Sequence, residues 1–88
     1  MQIKLDIHQF KTRKSAHAYL KKALRFPDYY GENLDALHDC LGDIAEETTV
    51  ILSKNIGNEH YLGNYGKTML EVFRASAEEN KYLKVLFD

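Results

Sequence analysis

The segment Thr48-Thr49-Val50-Ile51-Leu52 constrains the fold more than any other stretch of the chain. Five consecutive strand-favouring residues without polar alternation describe a strand covered on both faces, the form found in parallel sheets. Parallel neighbours cannot be joined by a tight turn, so each needs a crossover, usually a helix. The rest of the sequence supplies both. Ile3, Leu5 and Ile7 alternate with Lys4, Asp6 and His8, the period-two pattern of a half-covered first strand. Thr12 or Ser15 caps a helix running to about Arg25, with Ala16, Leu20, Ala23 and Leu24 on its apolar side. Pro27 ends it, because the residue before a proline is pushed out of the helical region. Asn33 is a good N-cap for a second helix lined by Leu34, Leu37 and Leu41, which Gly42 closes.

Residues 53–66 are rich in Asn and Gly and read as loop with at most one helical turn. Gly66 or Thr68 opens a third helix through Met69, Leu70, Val72, Phe73 and Ala77 to near Asn80, and residues 82–87 form the last strand. The order β-α-α-β-α-β predicts an α/β fold: a small three-stranded parallel sheet with helices packed on it, connected right-handedly. A chain of 88 residues has room for one such domain, spanning 1–88. No apolar run approaches the ~18 residues that would span a membrane. The first ten residues alternate instead of showing a signal peptide's basic-then-apolar build. The single cysteine, Cys40, excludes an internal disulfide and fits a reducing compartment. The expectation is a cytoplasmic protein.

The formal net charge of −1 conceals a segregation. Residues 11–25 carry six basic side chains and no acid, whereas residues 26–53 carry seven acids and no Lys or Arg. Within the acidic block, Asp35, Asp39 and Asp43 follow one another four residues apart beside the apolar side of the second helix, with Glu32 one turn earlier. Like charges at that spacing destabilise a helix by a few tenths of a kcal/mol per pair. The helix dipole offsets this for Asp35 in the first turn, not for Asp39 or Asp43. A local cost with no local gain points to a cationic partner, the bland alternative being a solvated acidic face. Tyr29 and Tyr30 stand beside the acids. Exposed tyrosines are enriched at interfaces, and of the two, Tyr29 is expected outward and Tyr30 packed into the core.

The run PDYYGENLDALHDCL, residues 27–41, strongly resembles the barstar family of intracellular ribonuclease inhibitors. That family's hallmark is present as Tyr29, Tyr30, Gly31, Asn33, Leu34, Asp35, Ala36, Leu37 and Asp39. The resemblance extends more loosely over the leading strand, the Lys-Lys-containing first helix, the middle strand, the Val72-Phe73-Arg74 helix and the last strand. It implies a small parallel sheet flanked by helices. It also implies a non-catalytic inhibitor, without cofactor or metal, whose second helix and preceding loop plug the cationic active site of a ribonuclease or ribonuclease-like toxin. In that picture Asp39 sits where substrate phosphate would sit, and Asp35, Tyr29 and Asn33 reinforce the contact. Gly42, Asp43 and Glu79 complete the implied partner-binding set together with His38 and Ile44, which stand where the family pattern has Trp. Ala75 replaces an acid, for which Glu79 one turn later substitutes. The complex implied is one-to-one, between a monomer and its target, in a bacterial cell protecting itself from its own secreted enzyme.

Two other readings compete. One is a metal-dependent hydrolase with Asp35, Asp39 and Asp43 as ligands, although no general base or nucleophile assembly accompanies them. The other is a regulatory interaction domain of the same fold with a non-nuclease partner. The remaining signals are weaker. Residues 63–68 end like a phosphate-binding loop, but Tyr61 occupies the position of its first glycine. His8, His17, His38 and His60 lack metal-ligand spacing. Cys40 reads as a buried structural thiol, and the lysines of the first helix as a solvated face rather than a nucleic-acid surface.

Overall fold

The computed structural model describes residues 1–88. Strand β1 (Gln2–Lys4) leads through a 3₁₀ turn (Ile7–Gln9) into helix α1 (Arg13–Ala23), then α2 (Leu34–Gly42), β2 (Thr48–Leu52), a second 3₁₀ turn (Lys54–Gly57), α3 (Gly63–Glu79) and β3 (Leu83–Phe87). The sheet is parallel throughout in the order β1-β2-β3, with Ile3 opposite Val50 and Val50 opposite Val85. The α/β class and three-stranded parallel sheet expected from the sequence are the observed architecture. No helix is long and apolar enough to cross a membrane.

Local chemistry explains most boundaries. Thr12 caps α1 through a reciprocal pair with Ser15: Ser15 N–H donates to Thr12 Oγ1 at 3.0 Å, and Thr12 N–H donates to Ser15 Oγ at 3.2 Å. Helix α1 stops before Pro27 can act, because Arg25 takes the left-handed conformation at φ 56°. Strand β1 is shorter than its alternation predicts. Asp6 leaves the sheet by accepting a hydrogen bond from His8 N–H at 3.0 Å, so Ile7 sits in a 3₁₀ turn rather than a strand. Helix α3 starts at Gly63, whose φ is +58°, and not at Gly66 or Thr68. Gly66 lies inside the helix because the 3₁₀ turn packs on it: a Cβ there would stand 2.0 Å from Ile56 O.

The sheet is covered on one face only, which corrects the reading of residues 48–52. Thr48, Val50 and Leu52 are buried beneath the helices, but Thr49 and Ile51 are half-exposed. Their register neighbours Gln2, Lys4, Lys84 and Leu86 are exposed. The core is therefore a two-layer one. It includes Phe10, Leu20, Leu37, Leu41, Val50, Leu52, Ile56, Met69 and Phe73, drawn from all three helices, the inner face of β2 and the two 3₁₀ segments. Leu37 and Leu41 anchor α2 in that core and leave its opposite side to solvent.

Candidate functional site

The loop before α2 is built around two tyrosines with opposite fates. Tyr29 is 84% exposed, whereas Tyr30 is buried against Phe26 with ring centroids 4.9 Å apart. The Tyr30 phenol meets His17 Nδ1 at 2.6 Å, and the other ring nitrogen, Nε2, meets the Tyr65 phenol at 2.7 Å. A neutral imidazole has one N–H and one bare nitrogen, so one phenol accepts from the ring and the other donates to it. Burial lowers the His17 pKa, opposed by Glu32, and raises those of Tyr30 and Tyr65. All three therefore remain uncharged at neutral pH, and the pair of hydrogen bonds fastens the loop to α1 and α3. The turn into α2 is made by Glu32, not Gly31: Glu32 takes φ 52°. Gly31 packs closely instead: a Cβ there would come within 3.3 Å of Asn33 Nδ2 and 3.4 Å of the Ala36 methyl.

Asn33 is the N-cap of α2. Its Oδ1 accepts from Ala36 N–H at 2.7 Å and its Nδ2 donates to Gly31 O at 3.2 Å, so both ends of the carboxamide are engaged. Asp35, Asp39 and Asp43 are exposed and pair with no basic side chain; the ion pairs are those of Arg74 with Glu71 and Glu78, and His38 is hydrogen-bonded to Glu79. Asp43 is the C-cap residue, and no basic side chain lies in the last turn. The negative end of the helix dipole therefore adds to the field of Asp39 and Asp43. These acids do not converge on a point, and no group of three or more His, Cys, Asp or Glu side chains is placed to hold a metal ion.

The other expected residues flank this stripe on both sides. Tyr29, Asp43 and Ile44 line one hollow together with Cys40 and Arg25. Asp35 and His38 line a groove of about 450 Å³ between α2 and α3, with Val72, Arg74 and Ala75 opposite. Glu79 reaches across from α3 to His38, Oε1 to Nε2 at 2.8 Å, so it is tied to α2 rather than free. Arg74 is held by Glu71 at 2.6 Å and Glu78 at 2.8 Å, which offsets its charge beside the groove. Cys40 is half-buried, not buried as expected. Burial and the nearby Asp43 and Asp39 raise its pKa, which keeps the thiol protonated and unreactive.

The family model for Barstar (barnase inhibitor) matches residues 1–88. A Bacillus subtilis (strain 168) protein named "Putative ribonuclease inhibitor YrdF" is 41% identical over 81 residues, 91% of this chain and 89% of its relative. The chain belongs to the barstar family. In this barstar-family protein the hallmark segment falls into two kinds of residue. Tyr29, Asp35 and Asp39 lie on the surface, whereas Tyr30, Asn33 and Leu37 build the loop and helix that carry them.

Sequence reasoning missed the residue that closes α2. Gly42 is the last helical residue and has open space where a Cβ would be, so it does not terminate the helix. Asn80, buried after α3, does so. Its Nδ2 donates to Leu41 O and Ile44 O, both at 2.9 Å, and lies 3.5 Å from Gly42 O. Its Oδ1 accepts from Tyr82 N–H at 3.0 Å. An Asn at the end of a helical pattern signals a local cap, which it also is; nothing local signals that it caps a different helix. His17 was missed for the same reason, since its partners lie 13 and 48 residues away.

Proposed function

We propose that this barstar-family protein inhibits a ribonuclease by placing α2 and the loop before it in the enzyme's cationic active site. One observation carries the reading: Asp35, Asp39 and Asp43 stand exposed and unpaired on a helix whose other side is locked in the core, next to an 84% exposed Tyr29. An RNA-cleaving site is cationic because it binds phosphate, and carboxylates preset on a rigid helix replace that phosphate at a reduced ordering cost. Asp39, at the middle of the stripe, makes the central contact with the enzyme's basic side chains. Asp35 and the His38–Glu79 pair meet it on the α3 side, and Tyr29, Gly42, Asp43 and Ile44 on the other. Asn33 contributes through the cap that orients the helix. The complex is one-to-one and forms in the cytoplasm of a bacterial cell, which it protects from a nuclease or nuclease-like toxin of its own. The name of the Bacillus subtilis relative supports a ribonuclease as the partner.

The test is RNA cleavage by a panel of small secreted bacterial ribonucleases, barnase among them, titrated with the purified chain. Stoichiometric loss of cleavage by one member is expected. Asp39→Ala should then weaken binding by about 2–5 kcal/mol, roughly 30-fold or more in Kd, a range to which complexes of this same family contribute. A target bound equally well by Asp39→Ala, or no inhibition of any panel member at micromolar chain, refutes the proposal.

A further inference from the structure

Strand β3 has β2 on one side and no strand on the other. Thr48 N–H donates to Tyr82 O at 2.8 Å, Asp88 N–H to Leu52 O at 3.1 Å and Lys54 N–H to Asp88 O at 3.1 Å. Backbone groups alternate in direction along a strand, so Tyr82, Lys84, Leu86 and Asp88 turn theirs toward β2, whereas Leu83, Val85 and Phe87 turn theirs outward. Leu83 N–H is taken locally by Asn80 O at 3.0 Å, but the N–H and C=O groups of Val85 and Phe87 meet no protein partner. The apolar flanks of this edge are open as well: Leu86 is 43% exposed, and Val85 and Phe87 are half-exposed. Such an edge is a template for another strand. The opposite edge, β1, has only three residues and offers much less. Lys84 and Asp88 are exposed on the open face of β3, and neither makes an ion pair. Four residues of strand hold them ~13 Å apart, too far to pair with each other.

We infer that the free edge of β3 pairs antiparallel with β3 of a second copy of this chain, about a two-fold axis at Leu86. The direction of the backbone groups limits the registers, because Val85 and Phe87 must face outward-turned residues of the other copy. An axis at Lys84 would set that lysine against its own counterpart, and an axis at Val85 would set it against Leu86. The axis at Leu86 sets Val85 opposite Phe87, Lys84 opposite Asp88, and Leu86 opposite Leu86 of the second copy. Every open backbone group of Val85 and Phe87 is then used: Val85 N–H donates to Phe87 O, and Phe87 N–H to Val85 O, in both directions across the axis. The Leu86 pair and the two Lys84–Asp88 pairs lie on the open face, and Val85 packs on Phe87 toward the helices. The result is a closed isologous dimer with a six-stranded sheet. This match selects the second copy, since an unrelated strand would need a base and an acid four residues apart around one apolar residue. The shared segment is short, so the association is weak, with a Kd on the order of 100 µM. At the micromolar chain of the nuclease titration the protein is therefore monomeric, and the inference stands apart from the proposed function.

Sedimentation equilibrium of the full chain at roughly 10–500 µM, with no nuclease present, tests the inference; the range brackets the expected Kd. A reversible monomer–dimer equilibrium is expected for the wild type. Leu86→Lys sets two lysines opposite each other across the axis and should be monomeric throughout. Lys84→Glu sets an acid against Asp88 and should weaken the dimer at least about fivefold. Lys84→Glu/Asp88→Lys exchanges the two charges and should return the Kd to within about threefold of the wild type. All these positions are exposed, and far-UV circular dichroism of each variant checks that the fold is kept. A wild type that stays monomeric at the highest concentration overturns the proposal, as does a dimer that Leu86→Lys leaves intact. A charge exchange that fails to restore what Lys84→Glu removes overturns the register and with it the pairing.

Discussion

Replacing Asn80 by Ala should destabilise the protein far more than a change at the end of a surface helix normally does. The amide donates at 2.9 Å to two carbonyls, Leu41 O and Ile44 O, and accepts from Tyr82 N–H at 3.0 Å. Each of these three hydrogen bonds contributes about 1 kcal/mol net, while Leu41 O keeps a backbone partner in Ile44 N–H at 3.4 Å. The total is about 3 kcal/mol, a large share of the ~4–13 kcal/mol expected for a domain of this size. It corresponds to a drop in Tm of about 12 °C or more. Asn80→Asp keeps the acceptor for Tyr82 but aims a carboxylate at carbonyls near the negative end of α2, so it should cost at least as much as Ala. Urea unfolding followed by far-UV circular dichroism gives the ΔΔG, provided the m-value is unchanged. Amide exchange at Asp43, whose N–H donates to Asp39 O at 3.1 Å, reports fraying of the acidic helix directly. A loss below about 1 kcal/mol for Asn80→Ala, or an Asp variant more stable than the Ala one, refutes this account of how α2 is closed.

Three other perturbations follow from the packing. Burial holds the His17 imidazole below its ordinary value of 6.5, so the unfolded chain takes up the proton first. The stability contributed by neutral His17 is therefore complete above pH 6.5 and declines as pH falls below it; urea midpoints at pH 5 and 7.5 should differ in the wild type and less in His17→Gln, and equal differences would refute it. Gly66→Ala should cost about 3 kcal/mol or more, because the added methyl meets the Ile56 carbonyl at 2.0 Å. Gly42→Ala, with nothing within 4 Å, should instead raise Tm slightly; thermal melts that reverse this order would contradict the packing described.

Much of the candidate site could be read from local sequence because it depends on local physics. The Asn33 cap and the four-residue spacing of Asp35, Asp39 and Asp43 are short-range consequences. Errors arose where packing overrode a local preference. A bare run of strand-formers at 48–52 indicates a strand but not how many of its faces are covered, and here one stays open. A glycine accepts the left-handed conformation most readily, yet it is Glu32 that adopts it, while Gly31 packs close to Asn33 and Ala36.

Periodicity, caps and charge spacing determined on their own that this chain forms a three-stranded parallel α/β fold bearing an acidic helix, and the hallmark run placed it in its family. Only the tertiary structure decided what holds that helix and its loop in place. The grip of Asn80 on α2 spans 36 to 39 residues, and the bond from His17 to Tyr65 spans 48. Neither is encoded in any local pattern, because a buried polar side chain takes whatever partner the packed core brings within hydrogen-bonding distance.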